Sequence, residues 1–205
     1  MEVKMYFGLS GAMKGATIRS DLKKNESADV MYSAIKPWKS YQFGIFNGLT
    51  EYNDLNYSIL HLVRLRDFME RNLHPNQKDL LIIERGITDS LFYRFYNDEF
   101  QLGTGGEIDE KLVEEAVKQE ELLLLPSFLK ITKVLLIQND KDFVRDVVLR
   151  EKYRNKTFKN DPEFYFDQQK KYIEFTKKYN QIDQEIVVNN AEDYVENVLG
   201  ENWES

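Results

Sequence analysis

The sequence predicts an α/β protein built on a parallel sheet. Three observations predict it: four or five short apolar runs, helical stretches between them, and a glycine-bearing loop directly after the first run. Val3 to Phe7 reads as a strand that stops at Gly8, and from Lys14 to about Lys24 the residues turn polar and helix-compatible. Ala28 to Ile35 is a weaker second strand. The segment holding Trp38, Tyr41, Phe43, Phe46 and Tyr52 is broken by Pro37, Gly44 and Gly48, so it reads as a loop with short helices. From Asn53 to about Leu73, Leu55, Ile59, Leu62, Val63, Leu65, Phe68 and Met69 recur at helical spacing and stop before His74-Pro75. Leu80 to Ile83 is a continuous apolar run ending in Glu84-Arg85, as expected of a parallel strand buried on both faces.

Helices are expected over Thr88 to about Asn97 and over Ile108 to Leu124, with Gly103, Gly105 and Gly106 in the loop between them and Pro126 closing the second. Val134 to Ile137 is a third apolar strand, followed by a helix from Asp140 to about Arg150 and a polar, basic stretch to Asn160. A long amphipathic helix runs from about Asp161 to Tyr179. A last strand, Glu185 to Val188, leads into a short helix from about Ala191 to Leu199. No repeat, low-complexity tract or linker divides the chain, which reads as one domain over 1–205.

Composition narrows the chemistry. The 205 residues contain no cysteine and only His61 and His74, which excludes thiol nucleophiles and Cys-ligated zinc and disfavours a His-rich metal site. Carboxylates, lysines, arginines, hydroxyls and backbone amides must carry any activity. With 28 basic and 35 acidic residues the net charge is −7, which argues against coating duplex nucleic acid. No run approaches the roughly 18 apolar residues of a membrane span, and no signal-peptide core follows Glu2 and Lys4, so a cytoplasmic protein is expected.

The first loop, Gly8-Leu9-Ser10-Gly11-Ala12-Met13-Lys14-Gly15-Ala16-Thr17, lies between a strand and a helix. A phosphate there needs glycines that let successive N–H groups turn inward, and a helix N-terminus adds partial positive charge. Gly8, Gly11 and Lys14 meet that demand. Against the pattern G-x-x-x-x-G-K-[ST], Met13 replaces the last glycine and Gly15 replaces the hydroxyl. A side chain at Met13 is expected to crowd a phosphate and force a different turn. The loop resembles that of adenylate and uridylate/cytidylate kinases, in which Gly-Lys-Gly-Thr occurs; here the threonine comes one residue later, at Thr17.

The run Leu81-Ile82-Ile83-Glu84-Arg85-Gly86-Ile87-Thr88-Asp89-Ser90 places a carboxylate at the C-terminal end of a buried strand, where ligands bind in open α/β sheets. It resembles the Asp-Arg motif of thymidylate kinases and the Glu-Arg-Ser motif of deoxynucleoside kinases. The resemblance implies that Glu84 serves magnesium or its waters and that Arg85 holds the acceptor, with Asp89 on the acceptor side. Between Lys141 and Asn160 seven basic residues face three acidic ones, a local +4 that suits a transferring phosphoryl group. Arg150-Glu151-Lys152-Tyr153-Arg154, followed by Asp161-Pro162 and a helix with Gln168, Gln169 and Tyr172, resembles the lid of deoxynucleoside kinases. This implies a lid over about 150–162 carrying Arg150 and Arg154; the lysines read better as a solvated face.

On the acceptor side, Arg64 and Arg66 occupy the helix where thymidylate kinases carry an arginine for the monophosphate. They lie on different faces, and Arg66 has an equal reading as a surface partner of Glu70. Phe43, Tyr41 and Trp38 stand where both kinase families stack the acceptor base, although such aromatics also form small cores. Deoxynucleoside kinases place a glutamate before a proline after the second strand as the base. Lys36-Pro37 stands there instead, so Lys36 suits an acceptor that is already an ionised monophosphate. The glycine-rich, proline-containing motif of thymidylate kinases is missing here. Asn190, after the last strand, falls where such kinases pack the donor adenine.

The resemblance to the thymidylate and deoxynucleoside kinase group spans nearly the whole chain through the order of its motifs. It implies a three-layer P-loop kinase fold with about five parallel strands, ATP and Mg2+ as donor and metal, and a nucleotide acceptor. Homodimerisation is implied through helices beside the sheet, Asn53 to Leu73 here. Lys14 and the amides of Gly11 to Gly15, with Ala12 and Ala16 in the loop, would hold the donor phosphates. Two rivals stay open: a kinase acting on a nucleoside or modified base, with Glu51, Asp54 or Asp89 as base, and a nucleotide-binding module without catalysis.

Overall fold

The computed structural model describes residues 1–32, 54–73, 78–95, 108–125, 128–148 and 161–190. Among these residues five strands, β1 (Glu2–Phe7), β2 (Ala28–Met31), β3 (Leu80–Glu84), β4 (Lys130–Gln138) and β5 (Gln184–Val188), form one sheet in the order β2-β3-β1-β4-β5. Every pairing is parallel. The helices are α1 (Lys14–Lys24), α2 (Asp54–Asn72), α3 (Ile87–Phe95), α4 (Glu110–Leu123), a single turn α5 (Lys141–Phe143) and α6 (Pro162–Tyr179).

The two-residue period of the strands sorts their side chains into two cores. Val3, Met5 and Phe7 of β1, with Leu81, Ile83 and Leu135, pack against apolar residues of α2, α3, α4 and α6. Tyr6, Leu80, Ile82, Val134 and Leu136 face the other way, against Ile18 and Leu22 of α1. The result is a three-layer α/β fold. Asp21 fastens α1 to the sheet by accepting from Lys4 Nζ at 3.1 Å and from the Tyr6 hydroxyl at 2.5 Å.

Three sequence expectations change. Strand β4 begins at Lys130, four residues before the apolar run, because its mixed start pairs in register with Glu2 to Met5 of central β1. The expected helix from Asp140 starts on an Asp140 cap to the Phe143 N–H, but after one turn it widens into a π-helical turn, Val144–Val148. On α2, Ile59 and Val63 are exposed, whereas Leu65, Phe68 and Met69 enter the core. Among the described residues, no helix is long and apolar enough to cross a membrane.

Candidate active site

Parallel pairing of β1 with β3 brings the loop after Phe7 and the turn after Glu84 out of the same end of the sheet. In that loop Gly8 has φ 152° and Gly11 has φ 89°. A Cβ on Gly8 would lie 2.9 Å from the Leu136 carbonyl oxygen, so only glycine fits against β4. Met13 sits at φ 62°, ψ 18°, the left-handed backbone that glycine adopts freely. The turn is therefore the one a glycine would make, and the expected change of backbone does not occur. Left-handed backbone costs a non-glycine residue about 1–2 kcal/mol, and glycine gives back about 0.4–1 kcal/mol through the unfolded chain. Met13→Gly is expected to raise stability by up to about 1.6 kcal/mol in urea denaturation; a loss of about 1 kcal/mol would show that the Met13 side chain holds the loop.

Lys14 opens α1 and is 5% exposed. Its ammonium donates to the Gly8 carbonyl and, at 2.9 Å, to the Leu9 carbonyl, so it folds back over the loop. The first turn of α1 contains no acidic residue and Met13 offers no side-chain cap. The helix N-terminus keeps its positive end uncompensated by its own residues, as an anion site requires. Ala12 and Ala16 are buried and fix the loop to the core, while Gly15 has open space at its Cβ position apart from Arg19 at 3.6 Å. Thr17 is buried and its hydroxyl donates to the Met13 carbonyl at 3.1 Å, within the helix. Beneath the loop, Gln138 Nε2 donates to the Gly11 carbonyl at 3.3 Å.

The second motif is equally constrained. Glu84 is 5% exposed at the end of β3, and Arg85 follows at φ 73° with its N–H donated to the Tyr6 carbonyl at 2.9 Å. A Cβ on Gly86 would lie 2.5 Å from the Phe7 ring, so the chain passes tightly over β1. Asp89, in the first turn of α3 and 2% exposed, accepts from Arg85 Nη1 at 3.0 Å, from the Gly86 N–H at 3.2 Å and from the Tyr172 hydroxyl at 2.9 Å. Among the described residues, Met13 and Arg85 are the two non-glycines with positive φ. Such strain gathers at functional sites, where the surroundings hold it in place.

Burial is the largest influence on the Asp89 carboxyl and raises it above the ordinary 3.8. The Arg85 guanidinium, then Lys14, the Tyr172 hydroxyl and the Gly86 amide pull the other way, and the net direction is up. The native state thus holds this proton more tightly than the unfolded chain. The resulting stability is complete below pH 3.8 and is lost as pH rises through the raised native value. Relative to Asp89→Asn, the wild-type urea midpoint is expected to fall over that window and then to run parallel. A wild type that gains on the variant with rising pH would reverse the direction.

Two residues below this turn carry no motif. His61 Nε2 of α2 lies 2.6 Å from Glu120 Oε1 of α4, with side chains 5% and 1% exposed. The same Glu120 oxygen accepts the Ile87 N–H at 2.8 Å, so a buried His–Glu pair caps the start of α3 immediately after the Glu-Arg turn.

The remaining candidates are spread out. Arg66 pairs with Glu70 at 3.3 Å, both largely exposed, as its surface reading expects, and Arg64 is half-buried elsewhere on α2. Asn190 is exposed beyond the end of β5. Lys36, Phe43, Arg150 and Arg154 lie outside the described residues, as do most of the expected lid and the final helix.

Among solved structures, the chain superposes on thymidylate kinase from Candida albicans with a TM-score of 0.54 at 12% identity, over 97% of this chain and 89% of that one. It superposes on deoxyadenosine kinase from M. mycoides with bound dATP at 0.51 and 14% identity, over 98% of each chain. The fold is that of the P-loop kinases. A second structure of the M. mycoides enzyme, with dCMP and a flexible dCDP, gives 0.52 at 12% identity over 98% of this chain and 97% of that one. The sequence matches no family model and no curated protein. These likenesses establish the architecture alone.

Proposed function

We propose that this P-loop kinase fold, as one domain over 1–205 with a lid near 150–162, transfers the terminal phosphoryl group of ATP to a deoxynucleoside monophosphate. Thymidylate or a related pyrimidine nucleotide is the first acceptor to test. One observation carries the reading: the two strained non-glycine residues, Met13 and Arg85, belong to the phosphate loop and the Glu-Arg turn, which leave neighbouring strands at the same end of the sheet.

In this reading the amides of Gly11 to Gly15 and the Lys14 ammonium hold the donor phosphates. Arg85 with Arg64 and Lys36 holds the acceptor phosphate, and Phe43 stacks on its base. An acceptor phosphate oxygen attacks the terminal phosphorus in line as the bond to the β–γ bridging oxygen breaks, with ADP leaving. Arg150 and Arg154 stabilise the charge that spreads over the equatorial oxygens. Magnesium bound through one carboxylate, its waters and the donor phosphates needs no cage of protein acids, and buried Glu84 at the strand end suits that role. When bound, it neutralises phosphate charge. Asp89, one of the candidate bases for a nucleoside acceptor, is 2% exposed and already accepts from three donors. That favours an acceptor needing no base.

The test is coupled ADP release with ATP and magnesium against a panel of deoxynucleosides and their monophosphates. Turnover on a monophosphate is expected. Turnover confined to nucleosides would move the acceptor, and ATP binding with silence across the panel would leave a nucleotide-binding module.

A further inference from the structure

The phosphate loop and the Glu-Arg turn come from different strands, yet one chain of buried hydrogen bonds joins them through residues of two other elements. The Gly8 N–H donates to the Tyr172 hydroxyl of α6 at 2.8 Å. That hydroxyl donates to Asp89 Oδ1 at 2.9 Å, and the same oxygen accepts from Arg85 Nη1 at 3.0 Å. We propose that Tyr172 and Asp89 are positioning residues that set the phosphate-loop backbone and the Arg85 guanidinium as one unit. The proposal deepens the kinase reading and rests on it for its purpose, though not for its geometry.

The direction of the chain is fixed by proton count. A phenol has one proton, and with the Gly8 N–H entering the hydroxyl that proton goes outward to Asp89 Oδ1. The second carboxylate oxygen takes the Gly86 N–H at 3.2 Å, which sets the plane of the carboxylate and hence the approach of Arg85. The ring of Tyr172 is 0% exposed and held edge-on by Phe92, with centroids 5.1 Å apart and planes at 82°. Neither end of the chain can shift without disturbing the other. Helix α6 grips the loop a second time, since Gln169 bonds both the N–H and the carbonyl of Gln138, whose side chain reaches the Gly11 carbonyl. A phenylalanine at 172 would fill nearly the same space, so Tyr172→Phe removes the chain while leaving the packing.

The experiment reads hydrogen exchange at the Gly8 amide by NMR in the full chain, in wild type, Tyr172→Phe, Arg85→Ala and the double variant, with far-UV circular dichroism confirming the fold. Tyr172→Phe is expected to speed exchange about tenfold, the loss of one buried hydrogen bond. Arg85→Ala, whose side chain does not bond Gly8, is expected to speed it about threefold through Asp89 and Tyr172, and to add nothing in the Tyr172→Phe background. An unchanged rate in Arg85→Ala, or additive effects in the double variant, would overturn the coupling. Calorimetry with magnesium and ATP on the same proteins is the functional arm: weaker binding in Tyr172→Phe and Arg85→Ala supports the positioning role, and unchanged affinity rejects it. If the wild type binds no ATP, the kinase reading fails while the amide rates still decide the coupling.

Discussion

His61→Leu is expected to cost about 3–5 kcal/mol in chemical denaturation, the effect of stripping one partner from a buried ionisable pair. His61 Nε2 is one of the two described partners of Glu120 Oε1, the other being the Ile87 N–H. Glu120 Oε2 has no hydrogen-bond partner among the described residues, so no spare donor stands ready to replace His61. The carboxylate would be left 1% exposed between α2, α3 and α4. Replacing both residues, His61→Leu with Glu120→Leu, removes the stranded carboxyl group and leaves only the Ile87 N–H unmet, about 1–3 kcal/mol. The double variant is therefore expected to be less damaged than the sum of the single variants. A cost below about 1 kcal/mol for His61→Leu would mean the pair contributes nothing net. The consequence reaches the site, because Ile87 starts α3 directly after Arg85-Gly86.

What the sequence revealed and what it hid divide along a physical line. Strand runs, the glycine loop after β1 and the Glu-Arg turn were legible because each is local: a short apolar period, a glycine cluster, a charge pair at a strand end. The His61–Glu120 pair and the Tyr172–Asp89 link were hidden because each joins positions far apart in the chain. A signal did exist for the first. Val113, Val117, Glu120 and Leu124 follow one helical stripe, as do His61, Leu65 and Phe68, so a charged and a polar residue each interrupt an otherwise apolar face. Polar residues on core stripes of separate helices call for partners, and these two find each other. Met13 was misleading for the opposite reason. Its side chain argued for a changed turn, whereas the surrounding loop imposes the left-handed backbone on it.

Lys14→Ala is expected to abolish most phosphoryl transfer, by about 10²–10³-fold in kcat/KM, the usual cost of removing one preorganised donor of positive charge. The side chain is 5% exposed and its ammonium spans the loop to the Gly8 and Leu9 carbonyls; in the proposed reading that charge meets the donor phosphates. Alanine is a good helix former and preserves the start of α1. The variant should therefore keep its fold at a lowered melting temperature, because two buried hydrogen bonds to loop carbonyls are lost, and far-UV circular dichroism separates lost chemistry from lost structure. A further effect follows at Asp89, whose carboxyl the Lys14 ammonium helps to hold down against burial. Without Lys14 that carboxyl moves still higher, which lengthens the pH window over which the native state loses stability. Lys14→Arg is not expected to restore turnover, because a planar guanidinium cannot reproduce a compact ammonium inside the loop. The measurement is multiple-turnover ADP release on the best acceptor. Undiminished turnover in Lys14→Ala would take the phosphate site away from this loop, and with it the assignment of Gly11 to Gly15 as donor-phosphate ligands.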